Sequence, residues 1–502
     1  MAAPRHLAGP AQGRHARPTL GAVPGSRHRA YRRTRMALFG VLAMLITVIV
    51  MVLEDPGPLA GDPAGLATEA TALFDPLLPD RAGWWTVGIL ALTTFGLNFT
   101  FWGSMGLLRW SVEQGSPQGP GGPGPRAGIS RSELAVVMAA HNEEKVIHDA
   151  LTSVLRQVPA SQIFVASDDS SDRTADIVRA AGVEVLELYP NVGKAGALRA
   201  ALERFGILDR FGAVLFLDAD SSLEPGYVTH VLAELSDPEV AVVAGYVHCE
   251  WRPEELTWLG RFLVGHRIRV YAMTQVMQKL GQAWRFFNVV YIAPGFASVY
   301  RTDVLRSIRI DPPGLVIEDF NMTFEVHRRH LGRIVCSSRA AAWSQDPDTL
   351  HDYVRQVRRW TLGFWQTVRL HGTWLSRFWV ALAAWLAELL FASVVLVLVA
   401  IGMLLLLLVW VLGQLAPDWG VLAAVQQGVS DWVTLPAVFT GMLIPDYLIT
   451  CWIAIRMRRP QLLIVGLAFP LMRVLDAVVG LATIPRAWGE PSTGAWKSPA
   501  RR

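Results

Sequence analysis

Residues 213–220 read AVLFLDAD, an apolar run that ends in two aspartates. Four other short runs around it are equally rich in aliphatic and β-branched residues, and segments with apolar residues at helical spacing separate them. Strands that alternate with helices predict βαβ units. We therefore expect an α/β domain with a mainly parallel sheet and helices on both faces, built on the strands Leu134–Ala139, Gln162–Ala166, Val183–Leu188, Ala213–Leu217 and Val240–Tyr246.

Polar segments follow the first four predicted strands. They read HNEE at 141–144, SDDSSD at 167–172, NVGKAG at 191–196 and DAD at 218–220. Any one of them is explained by helix capping, for which Asn142, Asp172 and Ser221 are suitable residues. Because the carboxyl ends of parallel strands meet at one edge of a sheet, four such segments together favour a ligand site at that edge.

The two aspartates of the DAD segment are candidate metal ligands. Side chains at positions i and i+2 of an extended segment point the same way, so Asp218 and Asp220 can reach one ion. Two carboxylates with open coordination positions suit Mg²⁺ or Mn²⁺, which often bridge to substrate phosphates. An ordinary polar turn is the alternative, because this pattern alone is common.

Lys194, between two glycines, is a candidate phosphate ligand. The glycines offer backbone N–H donors and the lysine adds a positive charge for a diphosphate, although a plain helix start with a solvated lysine explains the segment equally well. The segment lacks the spacing of a nucleotide-hydrolysing phosphate loop. The Pro-Gly run at 119–125 follows no strand, which excludes a dinucleotide-binding fingerprint.

Two further motifs lie beyond these strands. Glu318-Asp319 precedes a predicted helix, where acidic residues are often only partners of the helix dipole; beside the strand-end acids, the pair becomes a candidate general base. Residues 356–360 read QVRRW on a helix that leads to an apolar segment. This cluster is either an interfacial anchor or a site that binds phosphate and stacks a sugar, and the segment alone leaves both open.

Apolar segments on both sides of the domain predict a membrane protein. Each is long enough to cross ~30 Å of hydrocarbon, and they are Met36–Leu53, Trp84–Leu108, Phe378–Leu415, Val433–Ile455 and Leu462–Ile484. The connector 54–83 carries six acidic residues and one basic residue, which suits an external loop, whereas Arg109 and the arginines at 456–459 suit the cytoplasm. We expect a multi-pass protein of the inner or plasma membrane with a cytoplasmic α/β domain. Because Pro470, Arg473 and Asp476 interrupt the last segment, we favour a re-entrant or interfacial position for it over a span.

Composition and charge complete the predicted organisation. With 52% apolar residues and a formal net charge of +4, the chain as a whole is not disordered. Three widely spaced cysteines exclude a disulfide scaffold. Residues 1–35 contain eight Arg, three His and no acid, so we interpret this tail as holding the N-terminus in the cytoplasm, with a nucleic-acid-binding arm as the alternative.

The predicted domains follow from these boundaries. They are a basic disordered tail (1–35), two transmembrane helices with an external loop (36–110), a flexible linker (111–130), the α/β domain (131–371), an interfacial helix with two to three transmembrane segments (372–485) and a basic C-terminal tail (486–502).

In this order, the motifs resemble those of the processive family 2 glycosyltransferases, membrane-embedded synthases of cellulose, poly-N-acetylglucosamine, chitin and hyaluronan. The resemblance covers roughly 133–365 and rests on Asn142-Glu143, Asp168 in DDSSD, Lys194 in GKAGAL, the DAD of 218–220, Glu318-Asp319 and the QVRRW of 356–360. It implies a GT-A-like nucleotide-sugar-binding domain inserted between transmembrane helices. The implied reaction is inverting transfer of a sugar from a UDP-sugar to a growing polysaccharide, coupled to export.

The resemblance also implies a role for each motif. Asn142, Glu143, Asp168, Lys194 and Asp218 would bind the nucleotide sugar. Asp218 and Asp220 would hold Mg²⁺ or Mn²⁺, and Asp319, beside Glu318, would deprotonate the acceptor hydroxyl. Gln356, Arg359 and Trp360 would bind the diphosphate and the terminal acceptor sugar.

The chain departs from the family pattern in two places. Ala139-Ala140-His141 stands where the family has Pro-x-Tyr, so the tyrosine that usually stacks on the base is missing at this position. If Asp172 sets the register, Ser167 replaces one of the family's two paired aspartates and only Asp168 is kept. Glu318-Asp319 is closer to the cellulose and poly-N-acetylglucosamine branch than to the chitin and hyaluronan branch.

The expected partners are a UDP-sugar donor, a carbohydrate or lipid-linked acceptor, membrane lipid and an export partner of unknown identity, with no nucleic acid. One alternative transfers a single sugar to a lipid or surface acceptor without polymerising. Another is a membrane transporter with an inactive transferase-like domain. The complete acid pairs and Trp360 speak against the transporter, because an inactive site need not keep them.

Overall fold

The computed structural model describes residues 81–114, 128–415, 420–430 and 433–489. The predicted basic tail, the first apolar segment Met36–Leu53, the external loop up to residue 80, the central part of the linker and the C-terminal tail beyond 489 lie outside these described residues. The three cysteines, Cys249, Cys336 and Cys451, are free thiols, as expected.

The α/β domain is built on one eight-stranded sheet with the strand order β3-β2-β1-β4-β7-β6-β8-β5. Its strands are β1 (Leu134–Ala140), β2 (Ile163–Asp168), β3 (Glu184–Leu188), β4 (Ala213–Leu217), β5 (Ser221–Leu223), β6 (Val240–Cys249), β7 (Ala297–Arg301) and β8 (Arg333–Ser344). Strands β1 to β4 are parallel, with Val136 opposite both Ile163 and Leu215. Strand β7 lies antiparallel between β4 and β6, while β8 is parallel to β6 and antiparallel to β5. The predicted α/β class is confirmed, and the sheet is mixed beyond β4.

Helices cover both faces of the sheet. The α-helices of the described chain up to residue 371 are α1 (Arg81–Phe95), α2 (Leu97–Gln114), α3 (Ile147–Leu155), α4 (Thr174–Ala180), α5 (Gly193–Arg204), α6 (Ile207–Arg210), α7 (Tyr227–Glu234), α8 (Trp258–Met273), α9 (Leu280–Gln282), α10 (Thr302–Ser307), α11 (Glu318–Arg328) and α12 (Leu350–His371). A π-helix, Thr274–Lys279, joins α8 to α9. Val136 of β1 packs with Leu151 of α3 on one face, and Val137 packs with Leu198 of α5 on the other. Because both faces are buried, the central strands are apolar throughout instead of alternating.

The C-terminal part is helical and apolar. Its helices are α13 (Arg377–Leu415), α14 (Gly420–Ser430), α15 (Leu435–Val438), α16 (Ile444–Met457), α17 (Gln461–Val465) and α18 (Phe469–Gly489). Three helical stretches of the described chain, Arg377–Leu415, Gly420–Met457 and Gln461–Gly489, are long and apolar enough to cross a membrane. This supports membrane association. The last stretch has the length and composition of a span, whereas the sequence favours a re-entrant or interfacial position for it.

Paired charges explain how that last stretch carries polar residues. Arg473 lies 2.9 Å from the Asp446 carboxylate on α16 and donates a second hydrogen bond to the carbonyl of Thr93 on α1. Asp476 accepts a hydrogen bond of 2.9 Å from the Tyr353 hydroxyl on α12. Charged residues among apolar helices are tolerated when they pair with each other or with backbone groups in this way.

The predicted segment Trp84–Leu108 is not one straight helix. The helices of the pair Trp85–Phe95 and Leu97–Val112 meet at 55°. Gly96 lies at the break with a φ of +70°, and Glu388 of α13 accepts a hydrogen bond of 2.8 Å from the Asn98 backbone N–H beyond it. A residue in the left-handed region interrupts the helical ladder, and the carboxylate satisfies a donor that the break exposes.

Candidate active site

A buried ion-pair cluster lies at the edge of the sheet where the polar segments meet. The Lys194 Nζ, in the first turn of α5, is 2.7 Å from Asp218 Oδ1 and 2.9 Å from Glu318 Oε1. The Glu318 side chain is only 6% exposed, and that of Lys194 17%. The Lys194 ammonium group therefore connects its own glycine-rich segment to the DAD segment and to the Glu318-Asp319 pair.

Lys194 and Glu318 stabilise each other in their charged forms. Burial opposes the ammonium, but the carboxylates of Asp218 and Glu318 outweigh it and raise the pKa of Lys194. Burial also opposes the Glu318 carboxylate, yet the contact with Lys194 leaves the pKa of Glu318 below its ordinary value. For Asp218, burial together with repulsion from Asp220 and Glu318 raises the pKa despite Lys194.

Asp168 positions the loop that carries Lys194. Its carboxylate oxygens accept hydrogen bonds from the backbone N–H groups of Val192 (2.8 Å) and Gly193 (2.9 Å), and the residue is fully buried. Gly193 has a φ of +77°, which a residue with a side chain rarely adopts. Asp168 thus holds the start of α5 in place, and its carboxylate has no surface left for a direct contact with a nucleotide.

The ends of β1 and β2 are tied together by Asn142. Its side-chain oxygen accepts a hydrogen bond of 2.8 Å from the Ser171 backbone, and its own N–H donates to the Ser170 hydroxyl at 3.2 Å. Glu143 is 1% exposed, and its backbone N–H donates to Thr174 Oγ1 at 2.9 Å. Asn142 is exposed at the site edge, whereas Glu143 belongs to the support beneath it.

Asp218 and Asp220 occupy the turn after β4. The Asp218 backbone donates to the carbonyl of Phe296 at 3.1 Å and accepts from the Ser221 N–H at 3.0 Å, which fixes the turn. The two carboxylates are near enough for the charge of Asp220 to raise the pKa of Asp218. Two hard oxygen donors that repel each other suit a divalent cation.

These carboxylates do not form a metal site on their own. Among the described residues, no group of three or more His, Cys, Asp or Glu side chains is arranged to hold a metal ion. Mg²⁺ typically takes one or two carboxylates and completes its coordination with waters and substrate phosphates. The two aspartates therefore fit a cation that arrives with a diphosphate.

Asp319 has the properties of a general base. It lies half-buried at the N-terminus of α11, where one carboxylate oxygen accepts from the Phe320 N–H at 2.8 Å and the other from the Gly295 N–H at 3.3 Å. Burial and the neighbouring Glu318 charge raise the pKa of Asp319 to about 6, although Lys194 and the two hydrogen bonds oppose the shift. A carboxylate with a pKa near the working pH is ionised and still basic enough to accept a proton.

The QVRRW segment lies on α12, next to the acid pair. Arg359 is half-buried, and its charge helps to lower the pKa of Glu318. Gly363 lets α12 pack closely against Ile317, the residue just before the acid pair, because a Cβ at Gly363 would lie 2.8 Å from the Ile317 side chain. Gln356 and Trp360, one turn apart, both contact Arg267 of α8.

Residues 135–309 match the sequence model of the family described as "Glycosyl transferase family 2". The match covers the greater part of the α/β domain, which we call the transferase domain from here on. The predicted family is thereby confirmed, and the mixed sheet described above is the fold of this transferase domain.

Several curated glycosyltransferases are similar to the transferase domain. The poly-beta-1,6-N-acetyl-D-glucosamine synthase of Staphylococcus epidermidis is 23% identical over 250 residues, which cover 47% of this chain and 57% of the relative. The probable glycosyltransferase YdaM of Bacillus subtilis is 29% identical (46% and 55%), and the hyaluronan synthase of Streptococcus pyogenes 26% identical (47% and 57%). The chain spans little more than half the length of these relatives.

Among solved structures, the mannosyltransferase PcManGT of Pyrobaculum calidifontis, in complex with GDP-Man and Mn²⁺, is 16% identical to this chain. The similarity covers 81% of this chain and 99% of that one, with a TM-score of 0.46.

The transferase domain brings together most of the predicted site residues. Lys194, Asp218, Glu318 and Asp319 form one cluster with Arg359 beside it, whereas Asp168 and Glu143 lie beneath the surface. Sequence reasoning missed Gly295, whose Cβ would lie 3.0 Å from Glu318 Oε1 and 3.1 Å from Lys194 Nζ. No sequence signal marks this glycine, because it lies in a segment without a motif.

An aromatic side chain at the end of β3 was also missed. Tyr189 is 65% exposed, directly beyond Leu188. The Asp169 backbone N–H donates to the Leu188 carbonyl at 2.9 Å, which brings the tyrosine beside the β2 loop. A tyrosine directly after a predicted strand was the available signal, since its ring can stack on a ligand while its hydroxyl stays in water.

Proposed function

We propose that the chain is a membrane-embedded, inverting glycosyltransferase that moves a sugar from a UDP-sugar to a growing polysaccharide. The observation that carries this proposal is Asp319, a carboxylate with a pKa of about 6 beside a buried cluster of one lysine and two acids. An inactive domain would have no need to keep buried charges in mutual contact, so the cluster speaks against the transporter alternative.

In the proposed reaction, Asp319 accepts the proton of the acceptor hydroxyl while that oxygen attacks the anomeric carbon. The carbon–oxygen bond to the UDP diphosphate breaks on the opposite side, and the anomeric configuration inverts. Glu318 makes Asp319 a stronger base, because the Glu318 charge raises the pKa of Asp319. The Phe320 and Gly295 N–H groups fix the direction of the carboxylate.

Donor binding is assigned to the positive groups and the strand-end loops. Lys194 and Arg359 would face the diphosphate, and Asn142 would line the nucleoside pocket that the buried Asp168 supports. Tyr189, with its exposed ring, would stack on the base where the family's usual tyrosine is missing. Asp218 and Asp220 would hold Mg²⁺ or Mn²⁺, which when bound neutralises charge on the leaving diphosphate.

Polymer synthesis and export are supported by the membrane helices and by the names of two relatives, a poly-N-acetylglucosamine synthase and a hyaluronan synthase. We accordingly place the protein in the inner or plasma membrane as a multi-pass protein, with its transferase domain in the cytoplasm and no nucleic-acid partner. N-acetylglucosamine is the first sugar to test, because a Rhizobium leguminosarum relative is also named an N-acetylglucosaminyltransferase.

Transfer to a lipid-linked acceptor is a second candidate, favoured by one cavity. A space of about 950 Å³ lies between α1, α2 and α13, and its lining is almost entirely apolar. It includes Leu97, Phe101, Trp102, Val380 and Ala384. A cavity of this size among apolar helices would accommodate a hydrocarbon chain.

The test is UDP release by the purified full chain in detergent, with Mn²⁺ or Mg²⁺ and a panel of UDP-sugars. We expect release with one sugar and loss of release in Asp319→Asn, which keeps the shape of the side chain. Product size then separates polymer from single transfer. If the protein neither releases nor binds UDP under any of these conditions, the proposal is wrong.

A further inference from the structure

A buried arginine on α8 contacts two of the residues predicted to bind the acceptor. Arg267 is 3% exposed, and its Nη2 donates a hydrogen bond of 2.9 Å to the side-chain oxygen of Gln356. The residue lies outside every motif identified in the sequence. An arginine this deeply buried is unusual unless its charge has specific partners.

Aromatic rings surround the same guanidinium. Its central carbon is 4.5 Å from the ring centroid of Tyr353, 4.7 Å from that of Trp360 and 5.8 Å from that of Tyr271. Asp346 supplies the counter-charge, with a carboxylate oxygen 3.7 Å from Nε. A planar guanidinium can stack on rings and donate in its own plane at once, which a lysine cannot reproduce.

The contacts of Arg267 lead from α12 to the membrane helices. The Tyr353 ring lies against the guanidinium, and its hydroxyl donates a hydrogen bond to the Asp476 carboxylate of α18. Gln356 and Trp360 lie on the same helix, towards the acid pair. Arg267 thus links α8 to the part of α12 that also contacts the membrane helix α18.

Arg269, two residues along the same helix, provides a comparison. It is equally buried, at 3% exposure, but pairs with Asp446 of α16 and lies near Thr450. None of these partners is on α12. Of these two buried arginines of α8, Arg267 is the one that contacts the proposed acceptor residues.

We propose that Arg267 is a positioning residue that holds the Gln356 amide and the Trp360 ring in the orientation needed to bind the acceptor sugar. The inference rests on the proposed transferase function. Arg267 touches no reacting atom, so its loss should weaken acceptor binding and leave donor binding intact. A hydrogen bond to a charged group corresponds to a change of roughly ten- to a hundred-fold in affinity.

The experiment compares Arg267→Lys and Arg267→Met with Arg269→Lys in the full chain, using the UDP-sugar that supports turnover. We expect the acceptor KM to rise about ten- to a hundred-fold in both Arg267 variants, with the donor KM unchanged, and neither KM to change in Arg269→Lys. Equal effects of Arg267→Lys and Arg269→Lys would overturn the inference. So would the failure of both Arg267 variants to fold, because the role would then be structural.

Hydrogen-exchange mass spectrometry gives a readout that needs no turnover. Peptides from α12 should exchange faster in Arg267→Lys than in wild type, while Arg269→Lys should affect peptides from α16 instead. If the wild type shows no turnover with any donor, the proposed function fails, and this exchange pattern still tests the contact. Unchanged exchange of α12 in Arg267→Lys would contradict the positioning role.

Discussion

The acid limb of the pH–rate profile should report Asp319 and should move when Glu318 is neutralised. With a pKa of about 6, Asp319 is about 90% ionised at pH 7 and about 10% ionised at pH 5. Transfer requires the ionised form, so kcat/KM should fall about tenfold for each pH unit below 6. Among the charged groups near Asp319, Glu318 raises its pKa and Lys194 lowers it, and the buried Lys279 also feels the Asp319 charge.

Glu318→Gln removes the repulsive charge and leaves the lysine. The pKa of Asp319 should then fall, and the acid limb should move to lower pH. The assay is initial-rate UDP release from pH 4.5 to 8 at saturating metal, with the chain checked for folding at each pH. Asp319→Asn is the matched control, and it should lose about 10²–10⁴-fold in rate at every pH. An acid limb that stays in place or moves to higher pH in Glu318→Gln would refute the assignment of the base.

Three further outcomes test the rest of the site. Lys194→Met removes the ammonium partner of the buried Glu318 and the partly exposed Asp218, so the free energy of unfolding should fall by about 3 kcal/mol; an unchanged melting temperature would contradict this. Gly295→Ala places a methyl group against Lys194 and Glu318, so turnover should drop while the melting temperature stays near that of wild type. Gly128→Ala, where a Cβ would meet nothing within 4 Å, is its control. Tyr189→Ala should weaken UDP binding about tenfold in calorimetry while Tyr189→Phe keeps it, since stacking needs only the ring; equal losses in both variants would exclude stacking.

The first half of the sheet could be predicted from the sequence because its strands are buried on both faces. Runs such as Ala213–Leu217 have a single interpretation when helical patterns separate them. Strand β7 could not be found in this way. It is inserted antiparallel between β4 and β6 from a position about 80 residues further along the chain, and only tertiary contacts select that partner.

The site was predictable in its residue types and only partly in its contacts. Asp218, Glu318 and Asp319 stood out because acids at the ends of strands and helices are chemically informative. Spacing does not show that Lys194 joins two of them, or that Asp168 is fully buried beneath the loop, since both depend on how the β2 and β3 ends pack.

Arg267 illustrates what a local pattern leaves out. It lies in the helical segment WLGRFLVGHRIRVYAM, where an arginine among apolar residues reads as solvent-facing. Its burial becomes understandable only when Gln356 and Trp360, about 90 residues away, supply a hydrogen-bond acceptor and a ring. A sequence pattern describes one helix or strand at a time, whereas a buried charge needs partners that come from several elements.

The most direct test of the central claim is the anomeric configuration of the product. The donor is an α-linked UDP-sugar, such as UDP-N-acetylglucosamine, and NMR determines the configuration of the new linkage. With Asp319 as the base of a single displacement, the new linkage should be β, and product should be absent with Asp319→Asn. An α-linked product, or a β-linked product formed equally well by Asp319→Asn, would contradict the account.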